Sequence, residues 1–400
     1  MRKLALLLGS LVVVASASAK EVVPAPVVVE EAPVQIVEKE VIVYRDKEEG
    51  FRPNGYVDLQ YRWYGDTEGQ DDAFSSATDK AKGNGHWNAD NNYSRLQLQG
   101  KINMTEKQAL EYRVRNYNNL SGDDAKHTSN DTETRLRYSY NHGNLGDSKV
   151  NLTSRLEYKD VIDPANQQHV EYQARFNFAE YMFNSDFVKT TDFTVAPKYR
   201  YVWGSGNNDN YDNQIGADLY TMHELPWGFS FEFNVYATQH FYGQDQFFDG
   251  TDKMEDKNFT VDVEAYIYNT TNLYTNGNVS VDFNFEGGYD AYSWSQEKKF
   301  GAPHRGGRYD KEYGAINDKV VVNADKNGVE TEAGKGVGTE NAKYSVYALP
   351  TIQLNYQATP NVLLYAAAGA EYRNWAVTSE NSASNWRWQP TVFAGFKTTF

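Results

Sequence analysis

The chain has 400 residues, no cysteine and a formal charge of -15, with 54 Asp and Glu against 39 Lys and Arg. Without cysteine there is neither a disulfide framework nor a thiolate metal site, and the acidic balance argues against nucleic acid as a partner. The mean hydropathy is -0.71, and past the leader no apolar run approaches the ~20 residues of a membrane helix, the longest being Val362–Ala370.

The first nineteen residues read as a secretory signal. Arg2 and Lys3 form a basic start, residues 4–14 are apolar, and Ala17-Ser18-Ala19 is a small-residue cleavage site. An uncleaved anchor is the other reading, but the run is short for a membrane span. Cleavage after Ala19 leaves Lys20 as the first mature residue and the mature charge at -17. Residues 20–50 differ from the rest of the chain. Pro24, Pro26 and Pro33 interrupt short valine runs, and 38–49 is dense in charge. This composition suits a periplasmic extension or linker, with Val41–Tyr44 as a possible short extra strand.

From residue 51 onward one unit repeats: about ten residues of alternating apolar and polar side chains, then a turn or loop. Val57, Leu59, Tyr61 and Trp63 fall on one face of the first such stretch, and Asp58, Gln60 and Arg62 on the other. Successive strand side chains point to opposite faces, so each stretch is apolar on one side and ionic on the other. The pattern predicts 14 strands, near 55–64, 93–104, 108–117, 132–141, 149–159, 169–178, 191–203, 213–223, 228–240, 258–268, 278–290, 343–356, 362–374 and 386–400. Twelve to sixteen strands remain compatible with it. Connections alternate between long and short, with 179–190 the exception among the short ones and 291–342 the longest of all. An exported, aromatic-rich, cysteine-free chain of alternating strands with this loop asymmetry predicts an all-β transmembrane antiparallel barrel over 51–400. The last strand ends with Val392, Ala394, Phe396, Thr398 and Phe400 on one face. That resembles the signal read by bacterial barrel-assembly machinery.

If the apolar parity faces lipid, the other parity faces the lumen. From the second strand to the seventh it holds Arg95, Lys101, Arg113, Arg115, Arg135, Arg137, Arg155, Lys159, Arg175, Lys198 and Arg200, with Glu111, Glu133, Glu157 and Glu171 among them. From the eighth to the eleventh it holds Asp218, Glu232, Asp262, Glu264, Asp282 and Glu286, with no Lys or Arg. Opposed rows of charge across an aqueous lumen set up a transverse field that orients water and polar solutes. The competing reading is that these charges pair across neighbouring strands and fill a closed interior. Strand number favours water, because ~8 strands are filled by side chains and ~16 leave a channel.

Other chemistry is sparse. His86, His127, His142, His169, His223, His240 and His304 are scattered through predicted loops and strand ends, and no zinc-protease, nucleophile-elbow or P-loop pattern occurs. Asn323, Asp325, Asn327 and Gly328 resemble the start of a calcium loop, but Gly334 stands where its bidentate Glu belongs. The sequence therefore indicates no catalytic residues, metal or cofactor. The segment 291–342 either enters the mouth or stands free above it, and the sequence leaves both open.

Several segments resemble the major outer-membrane porins of fusobacteria over nearly the whole chain. They are KEVVPAP at 20–26, VIVYRD at 41–46, RPNG at 52–55, QYRWYG at 60–65, TEKQ at 105–108, LGDSKVN at 145–151, EGGYD at 286–290, LYAAAG at 364–369, WRWQP at 386–390 and the closing KTTF. The resemblance implies a nonspecific, voltage-responsive, trimeric porin in a Gram-negative outer membrane, whose surface loops also meet host or bacterial partners. The expected function is passive diffusion of ions and small hydrophilic solutes, with outer-membrane lipids around the barrel. The alternative is a structural or adhesive barrel acting through its extracellular loops. Ala366, Ala368 and Ala370 are small enough for a subunit contact, or are simply lipid-facing.

Overall fold

Alternation alone makes each strand two-faced, and the pairing of neighbours turns those faces into an inside and an outside. The computed structural model describes residues 50–68, 92–120, 132–162, 167–204, 211–247, 254–296, 320–323, 328–331, 346–375 and 385–400. In chain order the strands are β1 Asn54–Tyr64, β2 Tyr93–Asn103, β3 Gln108–Asn119, β4 Thr132–Asn144, β5 Asn151–Ile162, β6 Gln167–Asn177, β7 Lys189–Gly204 and β8 Tyr211–Glu224. They continue with β9 Phe229–Phe247, β10 Met254–Asn276, β11 Val279–Ser295, β12 Val320–Asn323, β13 Gly328–Thr331, β14 Val346–Thr359, β15 Val362–Trp375 and β16 Asn385–Thr399. β12 and β13 form a separate two-stranded hairpin. The other fourteen close into one antiparallel barrel, each paired with its sequence neighbours, β11 with β14 and β1 with β16. Closure removes both sheet edges, so every strand has a partner on each side.

The faces are inverted relative to a water-soluble protein. The register runs Val281, Leu354, Ala366, Ala394, Tyr61 and Leu96 side by side across six strands. Residues of this face are open: Ile215 is 56% exposed and Leu354 51%. On the opposite face Gln173 and His169 are fully buried. A polar interior beneath an exposed apolar wall is stable only where lipid covers the wall. Among the described residues no helix is long and apolar enough to cross a membrane, and the crossing is by strands.

The fourteen strands fall where the alternation puts them, but β9, β10 and β11 are longer, at 19, 23 and 17 residues. The connections expected at 241–257 and 269–277 are accordingly mostly strand. Residues 270–276 are mostly Thr and Asn and read as loop, yet they extend β10 by pairing with β11 alone, after pairing with β9 ends at Asn269. The turn that remains is Gly277-Asn278, with Gly277 at φ +57, the left-handed geometry that two-residue hairpin loops demand. The seven connections at the other end are also less uniformly long than expected. Those at 65–92 and 296–345 carry the asymmetry, whereas 163–166 is as short as 104–107. At the short-turn end 178–188 stays long because it is folded, with a 3-10 turn at Ala179–Tyr181 and a bridge between Asn184 and Lys189. The alternation does not predict the hairpin β12–β13. Residues 1–49, most of the longest connection and the calcium-like turn at 324–327 lie outside the described residues.

Candidate functional site

The inner face identifies itself through contacts that skip a strand. Gln173 on β6 donates to Asp218 on β8 at 2.9 Å. Arg155 on β5 reaches the Tyr220 hydroxyl on β8 at 3.5 Å. Tyr365 on β15 donates to Asp58 on β1 at 2.6 Å, over β16. Neighbouring strands are about 4.8 Å apart, so side chains on non-neighbours meet only across a concave surface. All the charged residues assigned to the lumen by parity share it with these groups within their strands.

On β2–β7 the cations are mostly engaged by carboxylates of the same face. Glu133 binds Arg113 through Oε1, with Nε at 3.1 Å, and Lys159 through Oε2 at 3.5 Å. Glu157 binds Arg137 through Oε2 and His169 Nε2 through Oε1 at 3.0 Å. Glu171 holds Arg200 at 2.6 Å and Arg155 at 3.7 Å. Lys198 is paired with Asp218 at 2.7 Å, both nearly fully buried. Lys101 and Glu111 approach to 3.8 Å with 41% of each side chain exposed, a pair worth little in water. Three more arginines donate to neutral glutamines: Arg95 to Gln60 at 3.2 Å, Arg115 to Gln97 at 2.6 Å and Arg175 to Gln173 at 3.0 Å. Arg175 also lies over the Tyr220 ring at 4.5 Å. Arg135 alone of this set has no carboxylate within ion-pairing distance and no hydrogen-bond acceptor among the described residues.

The acids of β8–β11 are held differently. Glu232 accepts from Tyr268 at 2.8 Å and Asn234 at 2.6 Å. Glu264 accepts from Tyr236 at 2.8 Å, and Glu286 from Tyr347 at 2.6 Å. Asp282 accepts from Asn272 at 2.7 Å and Asn355 at 2.6 Å. Asp218 adds the Tyr220 hydroxyl at 3.0 Å to its lysine. Asp262 is buried on the same face. Neutral donors fix a carboxylate in place without cancelling its charge. These tyrosines and asparagines were not singled out by sequence reasoning, although strand parity would have found them: Tyr236 alternates with Glu232, and Tyr268 with Glu264.

Two histidines at predicted strand ends, His169 and His240, are buried inner-wall groups. His169 is buried against Glu157. His240 Nδ1 lies 2.7 Å from Asp212 and its Nε2 3.0 Å from the Thr260 hydroxyl. Gln214 donates to the same Asp212 oxygen at 2.6 Å. An Asp–His–hydroxyl relay has the connectivity of a hydrolytic triad. Here, however, Asp212, His240 and Thr260 are only 1%, 5% and 5% exposed. The relay ties β8, β9 and β10 together.

No family model and no curated protein matches the chain. Solved structures do. The outer membrane channel DcaP of Acinetobacter baumannii aligns at TM-score 0.32 and 11% identity over 87% of this chain and 96% of that one. OprD from Pseudomonas aeruginosa aligns at 0.31 and 7% over 87% and 94%. An anion-selective porin from Comamonas acidovorans aligns at 0.30 and 8% over 87% and 99%. Likenesses this distant do not bear on function. The class rests on the pairing and the inverted faces themselves: a closed 14-stranded transmembrane antiparallel barrel.

Proposed function

We propose that the protein is an outer-membrane porin of a Gram-negative bacterium, a passive diffusion channel for ions and small hydrophilic solutes. The observation that supports this reading is the inside-out barrel, with arginines and lysines on the inner parity of β2–β7 and, on that of β8–β11, carboxylates most of which accept from neutral donors. Fourteen strands lie toward the end of the size range where side chains no longer fill the interior. A field between two walls of opposite charge favours small polar solutes over apolar ones, which must displace oriented water. In this reading the basic wall comprises Arg95, Lys101, Arg113, Arg115, Arg135, Arg137, Arg155, Arg175, Lys198 and Arg200. The acidic wall comprises Asp218, Glu232, Asp262, Glu264, Asp282 and Glu286.

The reading extends to a leader removed after Ala19, a periplasmic extension at 20–50 and assembly as a homotrimer, as the fusobacterial resemblance implies. The test is to refold residues 20–400 in detergent, verify the barrel by heat-modifiable migration and record currents in a planar bilayer. Stepwise conductance without added ligand, with steps grouped in threes, is the expected result. A folded barrel that stays silent would overturn the porin reading.

A further inference from the structure

We propose that Arg135 is the centre of an oxyanion-binding site on the inner wall, taking a small phosphate or carboxylate. The register of β3, β4 and β5 sets Arg113, Arg135 and Lys159 directly opposite one another. Directly opposed side chains have Cβ atoms about 4.5–5.5 Å apart, and like charges at that spacing repel. Arg137 follows two residues along β4 on the same face. These four cations thus share one patch with three carboxylates, Glu111, which lies opposite Arg137, Glu133 and Glu157.

None of these carboxylates pairs with Arg135, and each is engaged elsewhere, Glu111 with Lys101 at 3.8 Å. Glu133 gives Oε1 to Arg113 and Oε2 to Lys159. Glu157 gives Oε2 to Arg137 and Oε1 to His169. The other arginines of β2–β7 that lack a carboxylate have glutamine oxygens instead, whereas Arg135 has neither among the described residues. Its side chain is not buried but partly open, so a solute can approach. A guanidinium is a planar fork that matches the oxygens of a carboxylate or phosphate in pairs. An oxyanion there satisfies Arg135 and relieves its repulsion with Arg113 and Lys159. Chloride relieves the repulsion but cannot use both arms of the fork. In a conducting barrel this makes Arg135 a point where small oxyanions pause and displace chloride.

The conduction part rests on the porin reading, and the binding part does not. The folded chain in detergent is therefore titrated with inorganic phosphate by calorimetry, in parallel with Arg135→Gln and Arg135→Lys, each verified by heat-modifiable migration. Saturable binding is expected, weakened about tenfold or more in Arg135→Gln and partly retained in Arg135→Lys. The same proteins are then recorded in potassium chloride with added phosphate, which should lower the wild-type current in a saturating manner and leave that of Arg135→Gln unchanged. Arg135-dependent binding by a silent barrel would keep the site and remove the porin. A conducting barrel whose phosphate binding is absent, or equal in wild type and Arg135→Gln, would overturn the site and keep the porin.

Discussion

Glu157 is bonded to both Arg137 and His169 while only 4% exposed, and that double duty makes it a sensitive position on the inner wall. Replacing it with Gln leaves the Arg137 guanidinium facing an amide that cannot balance its charge. Breaking a buried pair by removing one partner typically costs about 3–5 kcal/mol. Glu157→Gln should therefore lower the urea midpoint of the detergent-folded barrel markedly, while Glu111→Gln, at the open pair with Lys101, should cost less than about 1 kcal/mol. Equal midpoints for the two variants would mean that the interior wets both pairs alike. The sequence showed that Glu111, Glu133, Glu157 and Glu171 sit among the basic residues. It could not show which cations each would engage, since Glu133 bridges strands β3 and β5 from β4, and that depends on register rather than on order along the chain.

Strands and turns were more legible than contacts. Alternation located all fourteen barrel strands because it is a local property of each one. It failed at 270–276, where Asn and Thr dominate and hydrogen bonding to β11 alone keeps the chain extended. Two glycines separate local strain from pairing. At Gly277 an alanine meets nothing within 4 Å but must adopt φ +57, at a cost of about 1–2 kcal/mol. At Gly369, opposite Thr351, a Cβ would lie 2.1 Å from the Pro350 carbonyl oxygen. Gly369→Ala must move β14 from β15, an overpacking cost of about 1–3 kcal/mol, and should also slow formation of the heat-modifiable form. Normal refolding of Gly369→Ala with a wild-type urea midpoint would show that the β14–β15 seam yields freely.

For the whole molecule the deciding property is the distribution of charge around the barrel. If the acidic wall lines the path of ions, changing Glu232, Asp282 and Glu286 together to Lys should shift the reversal potential in a potassium chloride gradient toward chloride. Those three carboxylates accept from the neutral donors Tyr268, Asn355 and Tyr347 and have no cationic partner among the described residues, so reversal should not strand a buried cation. An unchanged reversal potential in a conducting variant would place these residues off the path. Shortening the connection between β11 and β14 addresses the adhesive alternative. Loss of surface binding with conductance intact would assign that role to the loop.

The sequence by itself determined the class. A period of two, repeated fourteen times with apolar side chains on one parity and ionic ones on the other, behind a secretory leader and with long and short connections, predicts a closed barrel with lipid outside, since each strand carries both faces within itself. It also determined which charges share the inner face, since parity does not depend on partners. The tertiary structure alone decided how those charges are balanced. Register and closure gave Glu133 two cations and Glu157 an arginine and a histidine, supplied tyrosine hydroxyls to the acids across β9, β10 and β14, set His240 between Asp212 and Thr260, and left Arg135 without an acceptor among the described residues. Those outcomes depend on distances between strands far apart in the chain, and no local pattern encodes them.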